Sequence, residues 1–198
     1  MQPQMILLRE GTDTSQGKPQ LFANINACTA IIDTLKTTLG PCGMDKLVQN
    51  QGGINISNDG ATVLQMLEIV HPAARTLVDI AMAQDHEVGD GTTSVCVIAG
   101  ELLREAKSNV EDGIAPQVVI KAFREALGVA MEALDKLAVP FATQKEKQAI
   151  LLERCAATAL NSKLICGERD FFSEMAVKAV LSLNDDLNLD RIGIKKVT

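Results

Sequence analysis

The chain has 198 residues, of which 46% are hydrophobic, and its 19 basic and 25 acidic side chains give a formal net charge of −6. This charge argues against binding to a phosphate backbone, and the absence of Trp and Tyr removes the usual stacking platforms for single-stranded nucleic acid. No apolar run is long enough to span a membrane, and the first residues show no signal-peptide pattern. We therefore expect one large or two small domains with a hydrophobic core, binding neither nucleic acid nor membrane.

The first predicted element is an amphipathic helix. Gly40 is placed as its C-terminal stop, with Pro41 just beyond. By itself, the loop from Thr37 to Lys46 predicts only the end of a helix. The apolar positions of the helix are Leu21, Ile25, Cys28, Ile32 and Leu35.

A β-hairpin is predicted next, from Lys46 to Ser57, because two strand-like runs flank the turn pair Gly52-Gly53. The segment Ser57-Asn58-Asp59-Gly60-Ala61-Thr62 follows it and precedes a short apolar run. Taken alone, this segment is typical of an Asx turn or a helix cap.

The segment Gly89-Asp90-Gly91-Thr92-Thr93-Ser94 is the most informative in the chain, and it follows a predicted helix that Pro72 opens. Its glycines allow a close approach of the backbone to a ligand, and its hydroxyls stand where the N-terminus of a helix attracts phosphate. The carboxylate between the glycines can ligate Mg²⁺. The alternative is a helix N-cap, Asp or Thr, behind a glycine turn, and these six residues alone slightly favour the cap.

The remaining elements are also mostly helical. One helix runs from Thr92 to about Glu111 and is stopped by Gly113, and Pro116 opens another. The apolar spacing of the latter predicts the core of a bundle, with Val119, Ala122, Phe123, Ala126, Leu127, Ala130, Met131, Leu134 and Leu137 on its face. The periodicity breaks at 139–143, where we expect a domain boundary. Two shorter helices are predicted beyond it, at 147–160 and 171–183, separated by a polar joint at 161–163 and a turn around Gly167, and then a strand at 192–194.

The five cysteines are scattered, odd in number and never in CxxC spacing, which argues against zinc or a disulfide framework. Cys28, Cys96 and Cys155 fall on apolar helical faces, which predicts packing in the core. Unpaired cysteines fit a reducing, cytoplasmic location. His71 and His86 each lack a second ligand four residues away and are interpreted as structural.

The order and spacing of the three glycine-marked segments resemble the group II chaperonins, the ATP-driven folding machines of the TCP/CCT family. Further segments, at 6–13, 70–74 and 192–197, resemble one subunit type of that family, and the resemblance covers essentially the whole chain. It implies a mainly α fold: a helical, nucleotide-binding equatorial domain with a small β-hairpin over 1–143, then the ascending α/β part of an intermediate domain over 144–198. The apical domain and the C-terminal halves of the other two would be absent from these 198 residues.

The resemblance also implies ATP or ADP with Mg²⁺ as ligands. Asp90 would ligate the metal, and Asp59 would face the terminal phosphate and help to position the attacking water. Cys42 stands where a basic residue is common, which would slightly weaken phosphate attraction. The nucleotide would be contacted by Thr38, Leu39, Gly40, Pro41, Gly60, Gly91, Thr92, Thr93 and Ser94, and the γ-phosphate would be sensed by Asn161, Ser162 and Lys163.

The function implied is that of a cytoplasmic ATP-dependent chaperonin subunit, which joins sister subunits in a double ring and folds unfolded clients, cytoskeletal proteins among them. The family takes its water-activating aspartate from a later segment, so we expect hydrolysis by the full-length protein and none by these residues alone. Two alternatives remain open. One is a non-catalytic nucleotide-binding or ring-assembly module, and the other is an unrelated helical phosphotransferase, against which the order of the three segments argues.

Overall fold

The computed structural model describes residues 15–50, 53–138, 145–183 and 187–195. Within these ranges the chain forms seven α-helices, three 3₁₀ turns and one two-stranded antiparallel sheet, which confirms the mainly α fold. The helices are α1 (Lys18–Leu35), α2 (Gly60–Met66), α3 (Pro72–Val88), α4 (Thr92–Glu111), α5 (Pro116–Leu137), α6 (Lys145–Leu160) and α7 (Arg169–Leu181). The strands are β1 (Lys46–Asn50) and β2 (Gly53–Ser57), and the 3₁₀ turns are Lys36–Thr38, Cys166–Glu168 and Leu189–Arg191.

The core lies between α1, α3 and α4, with α2 closing one end. Ile32 and Leu35 on α1 are fully buried there. A Cβ added at Gly100 of α4 would lie 2.2 Å from Cδ1 of Ile32, so these two helices approach closely only because position 100 is glycine. Burial of each large aliphatic side chain contributes about 1.5–3 kcal/mol, and this core therefore fixes the start of α4 relative to the end of α1.

The predicted hairpin is confirmed, with Lys46 paired to Ser57 and Asn50 to Gly53. The predicted helices that begin at Pro72, Thr92 and Pro116 are confirmed as well, because proline at a first helical position and the glycine turns are strong local signals. The helix predicted at 147–160 begins two residues earlier, and the one predicted at 171–183 lies at 169–181.

The prediction that Gly40 stops α1 is wrong. The α-helix ends at Leu35 and tightens into the 3₁₀ turn Lys36–Thr38, where the hydroxyl of Thr38 donates to the Leu35 carbonyl at 2.8 Å. Thr38 is itself buried, so packing extends the helical path by one tight turn. Gly40, at φ +84°, instead reverses the chain two residues later.

The prediction that α5 lies in a bundle core is also wrong for the described residues, because none of its side chains is buried. Leu127, Met131 and Leu134 are 62%, 52% and 59% exposed. Among the described elements α4 is its main neighbour, and no second layer covers its apolar face. The amphipathic pattern correctly identified the helix but not what covers it.

Two smaller predictions need correction. Cys28 and Cys96 are buried as predicted, whereas Cys155 is exposed on α6, a helix that packs mainly against α7 and not in the core of α1, α3 and α4. Residues 192–194 form no strand, since no partner in the described ranges pairs with their backbone.

The segment at 6–13, Gly52 and the boundary at 139–143 lie outside the described residues. Across the described ranges, no helix has the length and apolar character needed to cross a bilayer.

Candidate functional site

A cavity of about 440 Å³ opens where the three glycine-marked segments and the polar joint meet. Its volume falls in the range of small-molecule sites. All the predicted site residues except Asn161 line it: Thr38, Leu39, Gly40, Pro41, Asp59, Gly60, Asp90, Gly91, Thr92, Thr93, Ser94, Ser162 and Lys163.

The first wall of the cavity is the turn at 38–41. Its closure is tight: the Gly43 amide donates to the Gly40 carbonyl at 3.0 Å, and the Met44 amide donates to the Thr37 carbonyl at 2.9 Å. A Cβ at Gly43 would lie 2.3 Å from the Thr38 carbonyl oxygen, so only glycine fits there. This wall is therefore a rigid, backbone-lined surface.

The second wall is the N-terminus of α4. Gly91 is its N-cap residue, at φ +80°, and no side chain caps the helix, which contradicts the predicted Asp or Thr cap. Thr92, Thr93 and Ser94 line the cavity at this end of the helix, and the Thr92 hydroxyl donates to Oδ1 of Asp85 at 3.5 Å. A helix N-terminus without a side-chain cap leaves N–H groups and the positive end of the dipole for an anion.

Asp90 stands beside that N-terminus with its side chain turned onto its own loop. Its Oδ1 accepts a hydrogen bond from the Gly91 amide at 2.7 Å, and its carbonyl accepts one from Nε2 of Gln84 at 3.1 Å. Gln84 therefore holds the loop from α3, a contact that the sequence analysis did not anticipate. The exposed carboxylate of Asp90 remains open to a cation at the cavity.

Asp59 caps α2 and also faces the cavity. Its carboxylate accepts from the Thr62 amide at 3.1 Å and from the Thr62 hydroxyl at 2.7 Å, so the helix-cap interpretation is correct. Its Oδ1 also lies 3.6 Å from Nζ of Lys163. Partial burial raises the pKa of the carboxyl, but the hydrogen bonds from Thr62 and the charge of Lys163 outweigh it and hold the pKa below its usual value. Asp59 is therefore an anion at neutral pH.

Gly60 brings the starts of α2 and α4 together. A Cβ at this position would lie 2.3 Å from the Thr93 hydroxyl oxygen and 3.2 Å from the Thr93 nitrogen. The two helix N-termini can share one cavity only because glycine stands at this contact.

The polar joint at 161–163 contacts both the first wall and the segment before α2. Nδ2 of Asn161 donates to the Pro41 carbonyl at 3.1 Å, so Asn161 contacts the outside of the first wall instead of lining the cavity. The Ser162 carbonyl accepts a hydrogen bond from the buried side chain of Asn58, and Lys163 pairs with Asp59.

Four further residues line the cavity: Asn58, Gly89, Thr158 and Ala159. Asn58 and Gly89 directly precede predicted site residues, so their positions in the sequence could have indicated that they line the cavity. The other two lie on the last turn of α6, and only the position of that helix directly before the polar joint could have indicated them.

The donor set suits a phosphate with a hard cation. Within the described ranges no three His, Cys, Asp or Glu side chains cluster as metal ligands, and the cavity offers the carboxylates of Asp59 and Asp90. This set fits Mg²⁺, which binds through one or two carboxylates plus phosphate and water instead of an all-protein cage.

Comparison with known proteins gives matches along nearly the whole chain. It is 57% identical over 197 residues to the T-complex protein 1 subunit eta of Dictyostelium discoideum, covering 99% of this chain and 35% of that protein. It is 56% identical over 199 residues to the protein of the same name from Arabidopsis thaliana, covering 100% of this chain and 36% of the relative. It is 55% identical over 195 residues to the Homo sapiens protein of that name, covering 98% of this chain and 36% of the relative.

The shared name of these relatives confirms the resemblance to one subunit type. The chain spans about a third of the length of each of them. The sequence profile described as the TCP-1/cpn60 chaperonin family matches residues 31–198, which include every residue of the cavity. The chain therefore belongs to the TCP-1/cpn60 chaperonin family.

Proposed function

We propose that this chain binds ATP with Mg²⁺ in the 440 Å³ cavity and serves as the nucleotide-binding part of a chaperonin subunit. The observation that carries the proposal is the convergence of Asp59, Asp90 and Lys163 at the N-terminus of α4, where no side chain caps the helix. Two carboxylates, one ammonium group and a set of helix N–H groups are complementary to a nucleotide phosphate chain that carries a divalent cation.

Each wall has a separate role in this proposal. The rigid turn at 38–41 lies along the nucleotide, and Gly40 lets the backbone approach the phosphates. The start of α4, from Gly91 to Ser94, offers N–H and hydroxyl groups to phosphate oxygens, and Gly60 keeps Thr93 in place. Asp90 holds the metal, which when bound neutralises charge on the phosphate oxygens.

The chemistry assigned to Asp59 is the orientation of water. Phosphoryl transfer depends mainly on positioning the nucleophile and stabilising charge, so an ionised carboxylate that accepts a hydrogen bond from water is the group the reaction needs. Thr62 fixes that carboxylate from the other side. Within the described residues the ammonium group of Lys163 pairs with Asp59, and it would be drawn to a γ-phosphate when one is present.

We assign residues 1–143 to an equatorial domain and 144–198 to the ascending part of an intermediate domain. In support, the polar joint after α6 contacts the earlier segments through Asn161, Ser162 and Lys163, and the last two line the cavity. A hinge that contacts the nucleotide would transmit the state of the nucleotide, ATP or ADP, to the rest of a subunit. Sister subunits in a double ring, unfolded protein clients and a cytoplasmic location belong to the same proposal.

A role in assembly alone is the second candidate, and the exposed apolar face of α5 favours it. Monomeric soluble proteins rarely expose large apolar patches, so this face is suited to a covering partner. Under this alternative the chain holds nucleotide or a ring position without turnover.

The first test is the native mass of the protein in cell extract, by gel filtration with immunodetection of residues 1–198. Elution with a very large complex supports the ring subunit. An unassociated species of about 21 kDa would contradict both the ring subunit and a role in assembly, and would leave only nucleotide binding without turnover.

The second test is equilibrium binding of ATP with Mg²⁺ to the native species. Asp90→Asn should remove the metal dependence of binding. Asp112→Asn, the same change at the far end of α4, should not. Wild-type protein that binds no ATP in the presence of Mg²⁺ would overturn the proposal. A chain of the relatives' length should hydrolyse ATP, and the 198 residues alone should not.

A further inference from the structure

The carboxamide of Asn161 makes two hydrogen bonds within the chain, one through its nitrogen and one through its oxygen. Nδ2 donates to the Pro41 carbonyl at 3.1 Å, and Oδ1 accepts from Nη1 of Arg169 at 3.0 Å. The two contacts require opposite hydrogen-bonding groups, so a flipped amide would lose both. The orientation of Asn161 is therefore fixed by a carbonyl on one side and a guanidinium on the other.

Arg169 is the first residue of α7 and reaches back to the polar joint. Its Nε lies 3.6 Å from Oδ1 of Asp170, which helps to orient the planar guanidinium toward Asn161. A hydrogen bond from a charged donor is stronger than one between neutral groups. The start of α7 is thereby connected to the amide that holds Pro41.

The wall on the other side of Asn161 is stiff. The turn around Pro41 is closed by the amides of Gly43 and Met44, and Gly43 packs so closely on Thr38 that a Cβ there would lie 2.3 Å from the Thr38 carbonyl oxygen. A shift of α7 that pulls on Asn161 therefore acts on a turn that its own backbone hydrogen bonds hold together.

The geometry points to a relay in which Arg169, acting through Asn161, ties the start of α7 to the Pro41 wall of the cavity. Arg169 is a positioning residue and does not line the cavity. The contacts of the joint with the segment before α2 are separate from this relay: Asn58 donates to Ser162, and Asp59 pairs with Lys163. The polar joint therefore connects two sides of the cavity. The relay decides whether the Pro41 wall stays bound to the joint. The consequence for nucleotide rests on the proposed function, whereas the relay itself requires no nucleotide.

The test is amide hydrogen exchange in the nucleotide-free protein, purified in the assembly in which cells hold it. The readout is the segment from Leu39 to Met44, whose link to Arg169 runs through Asn161. Both Arg169→Ala and Asn161→Ala should raise exchange in this segment by about three- to fivefold, the effect of losing one hydrogen bond. The double variant should exchange no faster than Asn161→Ala alone, because the connection from Arg169 to the wall runs through Asn161.

Three variants separate the relay from simple loss of structure. Asn161→Asp keeps the acceptor for Arg169 but removes the donor to Pro41, so it should release the wall as fully as Asn161→Ala. Arg169→Lys should retain part of the protection. Lys178→Ala, which breaks the exposed pair with Glu174 elsewhere on α7, should leave the 39–44 segment unchanged.

Unchanged exchange in Arg169→Ala, or additive effects in the double variant, would overturn the relay. ATP binding by the wild-type protein is measured in parallel. If the wild-type protein binds no ATP but the variants show the expected changes in exchange, only the proposed function is refuted. Normal binding without the relay effects would refute only the relay.

Discussion

The ammonium group of Lys163 lies 3.6 Å from the carboxylate of Asp59, joining the loop after α6 to the first residue before α2. Both side chains are more than a third exposed, at 38% and 47%. An ion pair with such exposure contributes at most about 1 kcal/mol, so it adds little to the stability of the fold. A weakly held lysine beside a cavity that suits phosphate can exchange its carboxylate partner for a phosphate oxygen. This pair is therefore better suited to switching than to stabilisation.

Replacing Asp59 should separate its two roles. Asp59→Asn retains an acceptor for the Thr62 amide, so the free energy of unfolding should change by less than about 1 kcal/mol. The loss of charge should reduce ATP turnover of the assembled protein by at least about 100-fold. Asp59→Ala should lose turnover as well, together with about 1 kcal/mol of cap stability. Thermal unfolding and steady-state hydrolysis measure the two effects, and wild-type turnover in Asp59→Asn would refute the catalytic role.

Acid should remove the stabilisation that Asp59 provides. Its pKa in the folded protein is lowered by Thr62 and Lys163 against the opposing effect of burial, relative to about 3.9 in an unfolded chain. A lowered pKa means that the contribution is complete above about pH 4 and is lost as the pH falls through the folded-state value. We expect the difference in unfolding free energy between wild type and Asp59→Asn to be constant from about pH 7 to 5 and to shrink below about pH 4. Urea unfolding across this range measures it, and a difference that grows in acid would contradict the assignment.

Adding one methyl group at Gly60 should disturb the cavity from within. The new Cβ would lie 2.3 Å from the Thr93 hydroxyl oxygen, so Gly60→Ala must displace Thr93 and the first turn of α4. We expect about 1–3 kcal/mol of destabilisation and weaker ATP binding. Gly128→Ala is the matched control, because nothing lies within 4 Å of its Cβ position. In the exposed middle of α5 that change should stabilise by up to about 1 kcal/mol. Equal effects of the two substitutions on ATP affinity would argue against the contact.

The exposed apolar face of α5 should cause self-association of the isolated 198-residue chain. Replacing Leu127, Met131 and Leu134 together by Gln should reduce light scattering and shift sedimentation toward the monomer, without lowering the melting temperature, because these side chains are exposed in the chain alone. Val70→Gln, at a position that is 88% exposed elsewhere, should have no such effect. Addition of sister subunits should increase the solubility of the wild-type chain. A monodisperse wild-type monomer would contradict this prediction.

Thiol labelling should report both the core and the cavity. Cys28 and Cys96 are buried, and burial raises the pKa of both thiols, that of Cys96 to about 11. Because the thiolate is the reactive form, both should react only after unfolding, whereas Cys42 and Cys155 should react in the native protein. ATP with Mg²⁺ should slow the labelling of Cys42, which adjoins Pro41 at the cavity, and should leave Cys155 unchanged. Mass spectrometry of alkylated peptides measures each site, and equal protection of Cys42 and Cys155 would argue against binding at this cavity.

Several elements were predictable because their signals are local. Pro72 and Pro116 begin helices, Gly91 precedes another, and the hairpin from Lys46 to Ser57 follows from strand runs on both sides of a glycine pair. In each case neighbouring residues determine the backbone dihedrals. Gly40 was misjudged because the chain continues as a 3₁₀ turn that buries Thr38, and only packing against the core decides that.

The sequence by itself determined which residue types could bind phosphate and metal, and in what order, because glycine turns, helix starts and carboxylates are encoded within a few positions. Only the tertiary structure decided which of these groups meet. The hydrogen bond from Asn161 to Pro41 joins residues 120 positions apart, and Gly60 touches Thr93 because α2 and α4 pack into the same core. Such contacts depend on the packing of whole helices, a cooperative property of the folded chain that no local pattern contains.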